Sequence, residues 1–63
     1  MVDINEVRKL ALEIFEQENV AEVWLNTPKW FFNGLTADEM LQKPDGGQAV
    51  LGILEKIRDG EFS

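Results

Sequence analysis

Carboxylates are the groups in this sequence that general acid–base catalysis or metal binding would use first. Asp38 and Glu39 are adjacent, and Asp3 and Glu6 lie three residues apart. The chain has no His, Cys or Tyr to act beside them, and a Cys/His zinc site is therefore excluded. Both pairs fall at predicted helix N-termini, where acidic side chains act as caps and interact favourably with the helix dipole. We predict no catalytic residue, no metal site and no cofactor-binding site, and we do not expect an enzyme.

Three consecutive aromatic residues, Trp30, Phe31 and Phe32, are candidates for a binding surface. A domain of 63 residues does not easily bury all three, so at least one is expected to point into the core. Tryptophan is favoured as an anchor at protein interfaces. Two interpretations stay open: the aromatics cap the core, or they contact a partner. Phe62, beyond the last predicted helix, has the same two interpretations, and there the interface is favoured.

Glycines in the last predicted helix also allow two interpretations. Gly46 and Gly47 open this helix, and helix N-termini can bind anions. Asp45 beside them repels phosphate, so close packing against a neighbouring helix is favoured over anion or nucleotide binding. Gly52 lies in the helix interior, where glycine costs ~1 kcal/mol relative to alanine. It is either a neutral substitution or the mark of a dimer or partner contact.

The charge balance restricts the classes of partner. Twelve acidic and six basic residues give a net charge of −6, which argues against the phosphate backbone of nucleic acids and against anionic membrane surfaces. No apolar run approaches the ~20 residues that span a membrane, and the N-terminus does not resemble a signal peptide. We predict a cytoplasmic protein, consistent with the lack of cysteine, without a nucleic-acid, membrane or small-molecule partner.

Cap signals predict how these residues are positioned. Four pairs have the spacing of a capping box, and each precedes an apolar-periodic segment. The pairs are Asp3/Glu6, Asn19/Glu22, Thr36/Glu39 and Asp45/Gln48. They predict an all-α fold, a small bundle of four helices at about 4–17, 20–26, 37–42 and 46–59, in one domain spanning residues 1–63. An aromatic-rich loop, with a turn at Asn33-Gly34, joins the second and third helices.

Apolar periodicity predicts which face of each helix is buried. In the first helix the inward residues are Ile4, Val7, Leu10, Ala11, Ile14 and Phe15, whereas Leu12 lies off this stripe. In the second helix they are Val20, Val23 and Trp24. The third helix has two apolar residues, Met40 and Leu41, and the apolar stripe of the fourth is Val50, Ile53, Leu54 and Ile57. Pro28 ends the second helix, and Gly60 is placed to end the fourth.

Small size makes self-association a further expectation. A domain of this length is only marginally stable alone, and association with another chain often supplies the additional stability. Leu12, Leu51, Gly52 and the loop aromatics offer spare surface, so we expect a possible homodimer.

The order of caps and turns resembles one family closely. The pattern begins at Trp24-Leu25 and Thr27-Pro28, continues through Gly34 and Thr36 to Leu41 and Gly46-Gly47, and closes at Gly60. This resembles the C-terminal toxin-binding domain of Xre/MbcA/ParS-type antitoxins. The chain departs from the family pattern at three places. Lys29 replaces a frequent Asn, the bulky residues 30–33 precede a single glycine, and Ala37 replaces a proline.

The resemblance implies a function. Such domains bind and neutralise a cognate toxin, commonly a RES-type toxin that consumes NAD, by covering its active-site cleft with the C-terminal helix and tail. Family members usually carry a helix-turn-helix domain, for which these 63 residues have no room, so we expect no DNA binding by this chain. The alternative is a structural or homodimerisation module without toxin-inhibiting activity. The candidate partner-binding residues are Trp30, Phe31, Leu51, Gly52, Glu55, Arg58, Glu61, Phe62 and Ser63.

Overall fold

A computed structural model describes residues 2–62 and shows a helical bundle in that part of the chain. The helices are α1 (Ile4–Phe15), α2 (Glu18–Asn26), α3 (Ala37–Met40) and α4 (Gly46–Arg58), and a 3-10 turn (Trp30–Phe32) lies between α2 and α3. No strand occurs between residues 2 and 62. The predicted all-α class, the four helices and their order are confirmed.

Two of the four predicted helix starts carry a side-chain cap. At α3 the capping box is complete: Glu39 N donates to Thr36 Oγ1 at 3.0 Å, and Thr36 N donates to Glu39 Oε1 at 2.8 Å. At α1 the Asp3 carboxylate accepts from Asn5 N at 3.0 Å. Each bond satisfies a backbone N–H that has no partner within its helix.

Of the four predicted boxes only Thr36/Glu39 is complete, since at α1 the cap bond goes to Asn5 and the Glu6 side chain takes no part in it. The remaining two show no side-chain cap. The Asn19/Glu22 prediction is wrong, because α2 begins at Glu18 with Gln17 as its N-cap, and Asn19 therefore lies within the first turn. Asp45 is the N-cap of α4, as predicted, but it has a left-handed backbone (φ 50°) and its side chain makes no capping hydrogen bond.

Tight terminal turns make α1 and α3 shorter than predicted. In α1, Glu16 adopts a left-handed conformation (φ 66°) and donates its N–H to Leu12 O at 2.7 Å. After α3, Gln42 N donates to Glu39 O and Lys43 N donates to Met40 O, both over three residues. Such bonds satisfy the last carbonyls of a helix without prolonging it.

Small residues let the helices approach closely around the core. The buried residues are Val7, Ala11, Ala21, Leu25, Phe32, Ala37, Val50 and Leu54. Helices α1 and α4 pack side by side and run in the same direction. Val2 lies against Gly47 at their N-terminal ends, and Glu13 lies close enough to Arg58 at their C-terminal ends for the two charges to interact. The Met40 carbonyl fills the space where a Cβ of the buried Gly46 would be, which confirms the prediction of close packing here.

The predicted inward face of α2 is corrected by the structure. Val20 and Val23 are 41% and 65% exposed, whereas Ala21 and Leu25 are buried. This helix has apolar residues on several sides, and the small side chain of Ala21 allows the closest approach to the rest of the bundle. Trp24, also predicted inward, is partly buried and packs against Phe15 at 6.0 Å between ring centroids.

The first helix shows one further difference. Ile4 is 43% exposed because it lies in the first turn, beyond the buried stripe that Val7 and Ala11 continue. Leu12 is 40% exposed, as predicted.

Candidate partner-binding site

The aromatic loop forms a turn that is closed by backbone hydrogen bonds, and it buries one aromatic ring while it exposes another. Lys29 N donates to Leu35 O at 3.0 Å, and Gly34 N donates to Lys29 O at 2.9 Å, so the ends of the loop are paired. Asn33 and Gly34 both have positive φ, 57° and 85°, which confirms the predicted turn. Within it Phe32 is buried and Trp30 is 82% exposed.

Phe31 joins this turn to the C-terminal tail. Its ring centroid lies 4.8 Å from that of Phe32, 5.5 Å from that of Trp30 and 5.0 Å from that of Phe62, each pair edge to face. Edge-to-face pairs at these distances contribute ~0.5–1.5 kcal/mol beyond the area they bury. These four residues, Trp30, Phe31, Phe32 and Phe62, are called the aromatic cluster below. Within the cluster Phe32 is buried in the core, and Trp30 is exposed at the surface.

The turn after α4 directs Phe62 towards Phe31. Gly60, with φ 73°, donates its N–H to Ile57 O at 3.2 Å, and Glu61 N donates to Lys56 O at 2.8 Å. This pair of bonds is the Schellman motif, which reverses the chain at a helix end and requires a left-handed residue. The predicted role of Gly60 is confirmed, and the motif places the tail against the aromatic turn.

Lys29 supports the other side of the turn, a role that the sequence analysis missed. Its Nζ donates to Trp24 O at 2.6 Å and to Thr27 O at 2.8 Å, and lies 4.7 Å from the centroid of the Trp24 ring. The ammonium group therefore binds carbonyls at the C-terminal end of α2, where positive charge is favoured, and contacts an aromatic face. Burial lowers the pKa of Lys29. The signal in the sequence was a basic residue just after a helix end, close to a tryptophan.

The remaining candidates of α4 share one side of that helix. Leu51, Glu55 and Arg58 are four and three residues apart, a spacing that aligns side chains along a helix. Leu51 and Gly52 are partly buried, and Glu55 and Arg58 are exposed. Arg58 Nε lies 3.1 Å from Asp59 Oδ1, and this hydrogen bond, with the carboxylate charge, raises the pKa of Arg58.

The predicted site is therefore brought together in part. Trp30, Phe31 and Phe62 are in contact, although Phe31 and Phe62 are far apart in the sequence. The α4 face of Leu51, Gly52, Glu55 and Arg58, called the outer α4 face below, connects to them through the Gly60–Glu61 turn. Ser63 lies outside the described residues.

Other kinds of site receive no support in the part of the chain that the structure describes. Between residues 2 and 62 there is no group of three acidic side chains arranged to hold a metal ion. Within the same range no helix is long and apolar enough to cross a membrane.

The aromatic cluster exposes Trp30, a residue type favoured as an anchor at protein interfaces, on rings that are buried or partly buried. The family of the antitoxin Xre/MbcA/ParS C-terminal toxin-binding domain matches residues 10–60, and the chain belongs to this family. The resemblance stated from the sequence is thereby confirmed. No curated protein and no solved structure matches the chain. The matched range includes the aromatic turn and all of α4, whereas Glu61 and Phe62 follow it.

Proposed function

We propose that this domain neutralises a cognate toxin by binding it through the aromatic cluster, the outer α4 face and the tail. Membership of the toxin-binding family identifies a protein toxin as the partner. The observation that carries the choice of surface is Trp30, which is 82% exposed and is nevertheless held in position by Phe31. A large ring that is exposed in the free domain becomes favourable to bury when a partner covers it.

Preorganisation supports the same choice. The turn that carries Trp30 is closed by backbone hydrogen bonds and fixed at its start by Lys29. Phe62 packs on Phe31, so the tail is already aligned with the turn before any partner binds. Little conformational entropy is then lost on binding, which leaves more of the contact energy as affinity.

We propose further that the toxin is of the RES type and consumes NAD, and that the domain inhibits it by occlusion of its active-site cleft. A cleft that binds the pyrophosphate of NAD carries positive charge. The domain has a net charge of −6, and Glu55 and Glu61 are exposed next to the proposed contact surface. Complementary charge accelerates association and selects the partner.

The test is inhibition of the toxin by matched variants. The toxin is first identified as the protein retained from a lysate of the source organism whose NAD consumption stops when the domain is added. Trp30→Ala is then expected to weaken binding by about 2 kcal/mol, or about thirtyfold in Kd. Val23→Ala is the control, because Val23 is also an exposed apolar residue, 65% accessible, but lies outside the proposed surface. Equal affinities for the two variants would reject the aromatic cluster as the contact surface.

The alternative of a homodimerisation module without inhibitory activity predicts a different result. In that case no NAD-consuming toxin is retained and none is inhibited, whatever residue occupies position 30. Truncation after Gly60, which removes Phe62 from Phe31, separates the two proposals further. It abolishes inhibition if the tail covers the toxin's cleft and leaves self-association unchanged.

A further inference from the structure

The Asn33-Gly34 turn carries a chemical reaction that the proposed function does not use. An asparagine followed by glycine can deamidate without an enzyme, because the glycine has no Cβ to shield its backbone nitrogen. Both residues are exposed to water. The other asparagines of the chain, Asn5, Asn19 and Asn26, are followed by Glu, Val and Thr. The sequence therefore favours deamidation at Asn33.

The reaction proceeds through a cyclic imide. The Gly34 nitrogen loses its proton to base and attacks Cγ of Asn33, and the side-chain nitrogen leaves as ammonia. Water then opens the imide at one of its two carbonyl carbons. Addition at Cγ gives aspartate in an ordinary backbone. Addition at the backbone carbonyl carbon gives isoaspartate, in which the chain runs through the former side chain. Both products gain a negative charge, and isoaspartate also lengthens the backbone by a methylene group.

The folded turn opposes ring closure in two ways. Asn33 has φ 57° and ψ 34°, and at this ψ the Gly34 nitrogen and Cβ of Asn33 lie on nearly opposite sides of the Cα–C bond. Ring closure requires them on the same side, so the backbone of Asn33 must rotate first. The Gly34 N–H also donates to Lys29 O at 2.9 Å, and this hydrogen bond keeps the attacking nitrogen protonated.

Rotation at Asn33 requires the turn to open. Two more backbone hydrogen bonds, from Asn33 N to Trp30 O and from Leu35 N to Phe32 O, both 3.1 Å long, lie on either side of the Gly34 N–H. A change of ψ at Asn33 moves the chain on one side of these bonds relative to the other and breaks them. The reaction therefore occurs only from an open turn.

Two contacts with the rest of the domain resist this opening. Phe62 packs on Phe31, with 5.0 Å between the ring centroids. At the start of the turn, Lys29 Nζ donates to the carbonyl oxygens of Trp24 and Thr27. Loss of either contact increases the population of the open turn. When opening and closing are fast relative to the chemistry, the rate of deamidation is proportional to that population.

We propose that Asn33 is a site of spontaneous deamidation, that opening of the aromatic turn sets its rate, and that isoaspartate there disrupts the surface that presents Trp30. The extra methylene group of isoaspartate moves the hydrogen bonds on the two sides of position 33 out of register. Aspartate tolerates the left-handed conformation, so that product retains the turn. The domain thus has a limited chemical lifetime, which the packing of its tail prolongs. The use of this surface in binding rests on the proposed function, whereas the reaction does not.

Peptide mapping by mass spectrometry measures the reaction with the chain alone. The wild-type domain is incubated at mildly alkaline pH, both native and unfolded in guanidinium chloride, and electron-transfer fragmentation distinguishes isoaspartate from aspartate. The unfolded chain is expected to react at position 33 at least about tenfold faster than the native domain, since the native turn must open first. Equal rates overturn the proposal, because the turn then gives no protection.

Variants separate opening of the turn from unfolding of the whole domain. Phe62→Ala and Lys29→Met are each expected to accelerate deamidation of the native domain by about two- to tenfold, the equivalent of one edge-to-face or cation–π contact. Gly52→Ala is the control, because a Cβ there meets no atom within 4 Å, and it is expected to leave the rate unchanged. A rate that falls as Gly52→Ala stabilises the domain assigns the reaction to global unfolding and overturns the proposal. A rate that responds to neither Phe62→Ala nor Lys29→Met also overturns it.

The purified products test the effect on the aromatic cluster. The isoaspartate fraction is expected to lose the near-ultraviolet circular dichroism of the packed rings, whereas Asn33→Asp, which has the charge of both products but an ordinary backbone, is expected to retain it. A wild-type spectrum for the isoaspartate fraction overturns the proposed disruption. None of these measurements uses the toxin, so this proposal and the proposed function fail independently.

Discussion

Two glycines of α4 lie in opposite environments. At the N-terminal end, Gly46 is buried, and a Cβ there would lie 1.6 Å from the Met40 carbonyl oxygen. Six residues later, a Cβ at Gly52 would meet no atom within 4 Å. The first glycine is explained by the packing of α3 against α4. The second has no explanation within this chain, and it lies on the outer α4 face, where we place the toxin. The N-terminal end of α4 is therefore fixed by packing inside the domain, whereas the surface at Gly52 is open to a binding partner.

The largest expected effect is at the packed end. Gly46→Ala is expected to reduce the free energy of unfolding by at least about 3 kcal/mol, since the clash is with backbone and neither helix can relieve it by a rotamer change. Chemical denaturation, monitored by circular dichroism, measures this. A loss below about 0.5 kcal/mol, the range of ordinary surface substitutions, would show that the α3–α4 junction shifts easily and that the contrast with Gly52 is false.

On the outer α4 face, substitution of Gly52 is expected to change the free energy of unfolding in the opposite direction. Gly52→Ala is expected to stabilise the domain by up to about 1 kcal/mol, because alanine is the better helix former and has room. If a toxin approaches this face closely, the same variant weakens toxin binding while it stabilises the domain. Stabilisation without any change in affinity would exclude Gly52 from the contact and restrict the site to the aromatic cluster.

The interaction energy between Phe31 in the aromatic turn and Phe62 in the tail is expected to be smaller than the effect at Gly46. In a double-mutant cycle with Phe31→Leu and Phe62→Leu, the interaction energy of the two rings is expected to be ~0.5–1.5 kcal/mol, the range for edge-to-face pairs. The free energy of unfolding of the four proteins measures it. An interaction energy of zero would mean that the tail is not held on the turn in solution.

The smallest expected effect is the pH dependence that Lys29 confers. Burial lowers the pKa of Lys29 below its ordinary value of 10.5, so the unfolded chain binds this proton more tightly than the folded domain. Its contribution to stability therefore increases as the pH rises through the range just below 10.5. Relative to Lys29→Met, the wild-type domain is expected to gain stability over that range in thermal denaturation. A relative loss would show that hydrogen bonds to the charged form outweigh burial.

Local features were predicted well from the sequence because they depend on residues a few positions apart. The Thr36/Glu39 capping box, the Asn33-Gly34 turn and the Gly60 helix end all form as predicted. Family membership could also be read from the sequence, since these caps and turns follow one another at spacings typical of the family. Errors at this level were also local: α2 begins at Glu18, two residues before its predicted start at Val20, and α1 and α3 each end two residues before their predicted ends.

The candidate site was predicted as a set of residues but not as a surface. Trp30, Phe31 and Phe62 were separate candidates, and their contact depends on where the turn after α4 sends the tail. Lys29 was noted only as a departure from the family pattern, because its partners are carbonyl oxygens, which no sequence pattern identifies.

The sequence by itself therefore determined the helical class, the order of the helices and the toxin-binding family of this protein. Only the tertiary structure decided that α2 buries Ala21 and Leu25 and exposes Val20 and Val23. It alone also decided that Phe62 packs on Phe31. The physical reason is the distance along the chain between the residues that interact. Caps and turns are satisfied by neighbours along the chain, whereas the choice among several apolar faces is made by how closely distant backbones can approach.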